Sequence, residues 1–145
     1  MNIKENPLLI KSTLPYGAPD FVAIKTEHFL PAIIEAMAYQ NVVIDKIIAD
    51  KKLPMFENTI LALEESSKIL DNVKAVFSAI ANSHTNNSIK DIEKELTPKF
   101  SIHEDDILLN RLLFEKVKAV YNKVVELKLD NESTHLVKEY YKNFI

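Results

Sequence analysis

The sequence predicts an all-α protein of about five helices packed antiparallel, preceded by an extended N-terminal strap. The 145-residue chain contains a single glycine, Gly17. Tight hairpin turns usually need glycine, so hairpins are disfavoured. Five segments repeat their apolar residues at steps of three and four, which places those side chains on one helix face. Joints rich in proline or asparagine separate the segments, and this pattern is typical of a helical domain.

Composition excludes several classes of function. The apolar fraction of 47% and the charged fraction of 27% are ordinary for a soluble globular protein. A net charge of -3 argues against nucleic acid or an anionic membrane as a partner. There is no cysteine, which excludes disulfides and thiolate metal sites. No apolar run spans a bilayer and no signal peptide is recognisable, so we expect a cytoplasmic location.

Residues 1–25 are predicted to form an extended arm, because prolines and Gly17 preclude a continuous helix. The arm is rich in apolar residues, so we expect it to pack as an ordered strap on a helical domain formed by residues 26–145. The first helix should begin near Thr26 as the N-cap, make one short turn, and then run from Pro31 to about Asp50. Its buried face is predicted to comprise Leu30, Ile34, Met37, Ile44 and Ile48.

The segment from Leu53 to Ala81 is predicted to be the central helix, with Pro54 near its start. Its apolar residues form a broad stripe of two adjacent rows, the pattern of a helix inside a core. The first row comprises Leu63, Ser66, Leu70, Val73, Phe77 and Ile80, and the second comprises Ile69, Val73, Val76 and Ile80.

Three further helices follow, each with a predicted cap. Ser88 and Asp91 resemble a capping box, Asn110 is a candidate cap for the fourth helix, and Asp130 or Asn131 for the fifth. Pro98 should kink the third helix. The predicted buried faces are Ile89, Ile92, Leu96 and Phe100 in the third helix; Leu113, Val117, Val120, Val124 and Leu127 in the fourth; and Leu136, Val137, Tyr140, Tyr141 and Phe144 in the fifth.

No metal site is predicted. His103 and Glu104 begin like the HExxH motif of zinc peptidases, which needs a second histidine where this chain has Ile107. We therefore expect a solvent-facing polar surface of His103, Glu104, Asp105 and Asp106. The other histidines are scattered over separate elements, at His28, His84 and His135.

No catalytic or cofactor-binding residue is predicted either. Glu57, Glu64 and Glu65 are expected on the solvent side of the central helix, where nothing tunes their pKa values for acid–base work. Ser66 and Ser67 lie mid-helix, without the elbow geometry that activates a nucleophile.

The end of the last helix predicts weak self-association. Its apolar side chains occupy consecutive turns and cannot all face one narrow core stripe, so some should point outward. Core or interface packing is favoured over an aromatic binding patch. The residues concerned are Tyr140, Tyr141, Phe144 and Ile145.

Several short elements, in order along the chain, resemble the bacterial peptidyl-dipeptidases among the thimet oligopeptidase-like zinc metallopeptidases. Met55 and Thr26 depart from the family's usual Thr and Pro. The matching elements are Asn6-Pro7-Leu8-Leu9, residues 12–21, His28-Phe29-Leu30-Pro31-Ala32, Phe56-Glu57-Asn58-Thr59-Ile60 with Ala62-Leu63-Glu64, His84-Thr85-Asn86, Leu109-Asn110, Leu113-Phe114 and residues 140–144.

The resemblance implies a helical, two-lobed parent enzyme that releases C-terminal dipeptides from short peptides. Zinc, HExxH and a downstream Glu would lie in its C-terminal part, which is the expected partner of this chain. This chain would then be the N-terminal domain, which helps to wall the substrate channel and is inactive alone. A free-standing helical interaction module remains the alternative, and an HExxH motif in the residues that follow would decide between them.

Overall fold

The computed structural model describes residues 6–9, 23–83 and 86–145, and these contain five α-helices and no β-strand. A 3-10 turn, Thr26–His28, precedes the first helix, and a π-helical segment, Phe56–Leu61, precedes the second. The predicted all-α fold is confirmed. None of these helices is both long and apolar enough to cross a membrane. The helices are α1 (Phe29–Ala49), α2 (Ala62–Ser83), α3 (Asn87–Leu108), α4 (Arg111–Asn122) and α5 (Asn131–Phe144).

The chain divides into two compact units. The first unit comprises Met1–Tyr39 and Ser67–Phe100, and the second comprises Gln40–Ser66 and Ser101–Ile145. Helices α1, α2 and α3 therefore each contribute to both units. Periodicity within a helix does not reveal which neighbour each turn contacts, so the sequence did not predict this division.

The core of the first unit is formed by the early part of α1, the later part of α2 and the early part of α3. Phe29 lies at its centre, fully buried, with its ring edge-on to Phe77 at 5.0 Å between centroids. Leu8 and Leu9 pack against this core, whereas residues 1–5 and 10–22 of the predicted strap lie outside the described residues. The buried apolar residues are Ile24, Phe29, Ala32, Ile33, Ala36, Leu70, Val73, Phe77, Ile89 and Leu96.

The predicted buried face of α1 is wrong at Ile34, which is 48% exposed. Its neighbour Ile33 is fully buried instead. The segment is apolar on most sides, so a helical period fits more than one face, and only the packing partners select between them. Of the predicted face, Ile44 is buried, and Leu30, Met37 and Ile48 are half-buried.

The start of the first helix also differs from the prediction. Lys25, not Thr26, is the N-cap residue, and its backbone N–H donates to Nδ1 of His28 at 2.8 Å. The 3-10 turn and then α1 follow, so Pro31 lies in the first turn of α1, where its missing N–H costs little. The short turn ahead of the main helix is thus present, with a different cap.

Helix α2 confirms the first predicted stripe. Leu63, Ser66, Leu70, Val73 and Phe77 are buried, and Ile80, the last residue of the row, is half-buried. The second row is wrong at Ile69, which is 38% exposed.

The helix begins later than predicted because Asn58 folds the preceding residues into a turn. Its Oδ1 accepts the Met55 N–H at 2.7 Å, and its Nδ2 donates to the Leu53 carbonyl at 3.0 Å. These bonds end the connection from α1 and start the π-helical segment.

The second unit is built around α4, α5 and the π-helical segment. Helix α4 begins at the predicted cap, because Asn110 Oδ1 accepts the Leu113 N–H at 3.1 Å. It ends at Asn122, so Val124 and Leu127 lie in the following turns, half-buried. The buried apolar residues of this unit are Ile44, Ile47, Ile60, Leu63, Leu113, Val117, Val120 and Val137.

Helix α3 corrects one predicted cap. Asn86, not Ser88, provides it, since Asn86 Oδ1 accepts the Ile89 N–H at 2.9 Å. The predicted face is supported at Ile89 and Leu96, which are buried. Pro98 lies inside the helix, which continues to Leu108.

Asp130 is the N-cap of α5, and we expect this cap to make stability depend on pH. Its carboxylate accepts the Ser133 N–H at 2.7 Å, and this bond and the Ser133 hydroxyl hold the pKa of Asp130 below its usual value. The native state therefore favours the charged form, so the stabilisation is present at neutral pH and is lost as pH falls below about 4.

The measurement is thermal unfolding from pH 7 to pH 3 of the wild type, Asp130→Asn and Asp130→Ala. Asp130→Asn retains a cap without titrating, so its melting temperature should approach that of the wild type as the pH falls. Asp130→Ala should be less stable than both at neutral pH. A constant difference between wild type and Asp130→Asn at every pH would contradict the prediction.

Candidate functional site

Polar side chains inside the two units are the first candidates for function. In the described part of the chain, every buried side-chain nitrogen and oxygen has a hydrogen-bond partner. A buried group that is already satisfied contributes to structure first, since leaving it unpaired would cost stability. The buried polar residues are Asn6, His28, Gln40, Thr59, Ser66 and His103.

His103 does not face solvent, so that prediction is wrong. It is 9% exposed, and its Nε2 lies 2.7 Å from Oε1 of Gln40. Helix α1 supplies Gln40 and α3 supplies His103, both in the second unit. The following residues, Glu104 to Asp106, are exposed as expected. His103 is buried because a partner 63 positions earlier satisfies its ring, which no local pattern reveals.

Glu64 also departs from the predicted solvent face. It is half-buried, and the Tyr140 hydroxyl donates to its Oε2 at 2.6 Å. This bond joins the start of α2 to α5. Glu57 and Glu65 are exposed, as predicted. The three carboxylates therefore have different surroundings.

Ser66 is buried and its hydroxyl donates to the Leu63 carbonyl at 2.6 Å. A hydroxyl bonded to its own helix has no base to activate it. The hydroxyl proton of Ser66 is therefore used within its own helix.

Asn6 and His28 join the N-terminal segment to the start of α1. Asn6 is 1% exposed, its Nδ2 donates to the His28 carbonyl at 2.9 Å, and its Oδ1 accepts the Leu8 N–H at 3.0 Å. The side-chain amide of Asn6 therefore uses both its donor and its acceptor in hydrogen bonds. The bond to His28 holds residues 6–9 against the turn before α1.

Replacing Asn6 with alanine should lower the free energy of unfolding by about 1–3 kcal/mol, because both bonds are lost and the His28 carbonyl loses its donor. Urea unfolding measures this loss. Asn6→Asp retains the acceptor for Leu8 but not the donor for His28, so it should also destabilise. The exposed Asn41→Ala serves as a control and should change stability by less than about 0.5 kcal/mol. An equal effect of Asn6→Ala and Asn41→Ala would show that the segment is not held in this way.

The aromatic face, defined here as Phe114, Tyr121, Tyr141 and Phe144, lies where α4 meets α5. Tyr121 and Tyr141 stack at 4.0 Å between centroids, with an interplanar angle of 9°. Phe114 stacks on Tyr141 at 6.0 Å and on Phe144 at 5.8 Å. All four residues are half-buried. Some of the four apolar residues at the end of α5 were predicted to point outward, and Ile145 is 77% exposed, while Tyr140, Tyr141 and Phe144 are half-buried.

The histidines do not form a metal site within the described residues. No group of three or more His, Cys, Asp or Glu side chains in this part of the chain could hold a metal ion. His135 is exposed on α5, and His84 lies outside the described residues. The described residues therefore do not fit zinc, and no chemical step through a metal is assigned to them.

Comparison with known proteins finds longer relatives of this chain. No family model matches the chain. The chain is 39% identical over 140 residues to "Dipeptidyl carboxypeptidase" of Escherichia coli (strain K12), a match that covers 97% of this chain. The chain is homologous to dipeptidyl carboxypeptidase. The enzyme of the same name from Salmonella typhimurium is also 39% identical over 140 residues.

The match to the dipeptidyl carboxypeptidases covers 21% of the length of each relative, so the chain spans about a fifth of them. Both matches support the resemblance drawn from the short elements. Of those elements, residues 12–21 and His84-Thr85 lie outside the described residues.

Several of the short elements that resemble the family stabilise local structure in this chain. Asn6 holds the N-terminal segment, His28 accepts a backbone N–H before α1, Asn58 forms the turn before α2, and Asn110 caps α4. Each of these side chains satisfies backbone groups at a turn or a helix start.

Gln40 is buried, although it was not among the predicted buried residues. A polar residue at a buried position of an otherwise apolar helix needs a buried partner. This pattern is the signal from which burial of Gln40 could have been predicted. The predicted face of α1 was displaced by one position, so Gln40 was not recognised as buried.

Proposed function

We propose that this chain is a non-catalytic helical part of a peptidyl-dipeptidase that releases C-terminal dipeptides from short peptides. The identity of 39% with dipeptidyl carboxypeptidase over 97% of the chain is the observation that carries this proposal. The chain's contribution is to help wall the channel that admits the substrate. Its partners are the catalytic part of the longer polypeptide and, through that part, short peptides.

Three features of the described residues support a non-catalytic role. Their buried polar side chains are satisfied internally, Ser66 is bonded to its own helix, and no group of side chains could hold a metal. Zinc, which the family resemblance implies, is assigned to the remaining part of the longer polypeptide. The absence of cysteine is compatible with action in the cytoplasm.

The test compares the 145-residue chain with the same chain extended along its reading frame to the relatives' length. Both are incubated with short peptides of known sequence, and the products are identified by mass spectrometry. The extended protein should release C-terminal dipeptides and lose this activity on chelation, whereas the 145-residue chain should release none. Dipeptide release by the 145-residue chain would contradict its non-catalytic role. An extended protein without peptidase activity would contradict the assignment of the parent enzyme.

The second candidate is a free-standing helical interaction module. The observation in its favour is that each of the two units has its own buried core. The reading frame decides between the two, because a module of this kind would not be followed by an HExxH motif.

A further inference from the structure

The aromatic face has basic residues along its border. On α4, Lys118 lies four positions after Phe114 and three before Tyr121, so it shares their side of the helix. On α5, Lys138 lies three positions before Tyr141. Both lysines are exposed, and the four rings are half-exposed. Together, the aromatic face and these two lysines form the basic strip.

The same unit carries a strip of the opposite charge on the last turns of α3 and on Leu109, the residue that follows this helix. Ile102 is 61% exposed and Leu109 is 82% exposed, and the exposed Asp105 and Asp106 lie between them. These positions fall at i, i+3, i+4 and i+7, which is one helix face, and His103 is buried on another. Ile102, Asp105, Asp106 and Leu109 are called the acidic strip.

The acidic strip and the α4 part of the basic strip match in length and pattern. Asp105 and Asp106 lie between Ile102 and Leu109, and Lys118 lies between Phe114 and Tyr121, so each stretch spans seven positions along the chain. Lys138 lies beside these rings on α5. At about 1.5 Å per residue this is about 10 Å in both cases. Apolar side chains of one strip can thus meet aromatic rings of the other while carboxylates meet lysines.

We propose that the acidic strip of one copy of the chain docks on the basic strip of a second copy. Burial of Ile102 and Leu109 against the rings supplies the attraction, and the charges select the register. Tyr140 is left out of this surface because its hydroxyl bonds to Glu64. The contact uses two different surfaces, so each bound copy keeps one free strip of each kind and further copies can add.

The interaction is weak and sensitive to salt. Exposed ion pairs contribute about 0–1 kcal/mol each and are screened as ionic strength rises. Sedimentation of the wild-type chain over a concentration series should therefore show a mass that increases beyond the monomer at 50 mM NaCl and decreases at 500 mM NaCl.

Charge reversal tests the pairing directly. Lys118→Glu with Lys138→Glu should abolish the association, and so should Asp105→Lys with Asp106→Lys. Each double variant alone carries like charges on both strips. A mixture of the two variants should associate again, because each then meets opposite charges on the other. Circular dichroism of each variant should match that of the wild type, since all four residues are exposed.

A matched control distinguishes the effect of the strips on association from the effect of net charge. Lys51→Glu with Lys52→Glu changes the net charge as much as the reversal of Lys118 and Lys138, at exposed residues before the π-helical segment. This control should associate like the wild type. A wild-type chain that is monomeric at every concentration, a mixture of the reversed variants that stays monomeric, or a control that loses association would each overturn the proposal.

Discussion

Replacing Phe29 with alanine should lower the free energy of unfolding by about 3–5 kcal/mol, the usual cost of removing a buried phenylalanine ring. Phe29 is fully buried in the first unit, and its ring meets Phe77 edge-on at 5.0 Å. The truncation removes that contact and leaves a cavity that the surrounding helices can only partly fill. Urea or thermal unfolding measures the loss.

Tyr39→Ala is the matched control for this prediction. It removes an aromatic ring from the same helix and unit, at a position that is 47% exposed. Its effect should be much smaller than that of Phe29→Ala, since a half-exposed ring leaves no closed cavity. If the two variants lost equal stability, Phe29 would not be at the centre of a core.

Replacing His103 with alanine should lower the free energy of unfolding by about 1–3 kcal/mol, because Gln40 then keeps a buried carbonyl without its partner. Gln40→Leu should also destabilise, because the buried Nε2 of His103 then loses its partner. The pair lies at 2.7 Å between Nε2 and Oε1, close enough to be coupled. The double variant should therefore lose less stability than the sum of the two single variants, with a coupling energy of about 0.5–3 kcal/mol.

The control for this cycle is His135→Ala, since His135 is exposed on α5. It should show no coupling with Gln40→Leu. Strict additivity of the His103 and Gln40 substitutions would show that the two side chains do not depend on each other.

Features that depend on local sequence were predictable. Asn110 and Asp130 precede apolar periodic segments, and each accepts the N–H three residues ahead. The stripe of α2 from Leu63 to Phe77 was also predictable, because its residues recur at steps of three and four along the helix. In these cases the signal and its partner lie within one or two turns of each other.

Features that depend on distant partners were not predictable. Helix α1 is apolar on several sides, so the choice of Ile33 over Ile34 depends on residues of α2 and α3. Burial of His103 depends on Gln40, 63 positions away, and burial of Glu64 on Tyr140, 76 positions away. The homology to dipeptidyl carboxypeptidase was recognisable because the short elements keep their order and spacing along the chain.

The division of α1, α2 and α3 between two units has a consequence for synthesis of the chain on the ribosome. The first unit has all its residues once Phe100 has been made, whereas the second needs residues up to Ile145. The stretch from Gln40 to Ser66 must therefore wait, with its apolar side chains uncovered, until α4 and α5 emerge. A stalled or prematurely ended chain would expose Ile44, Ile47 and Ile60, and so become a target for chaperones and proteases.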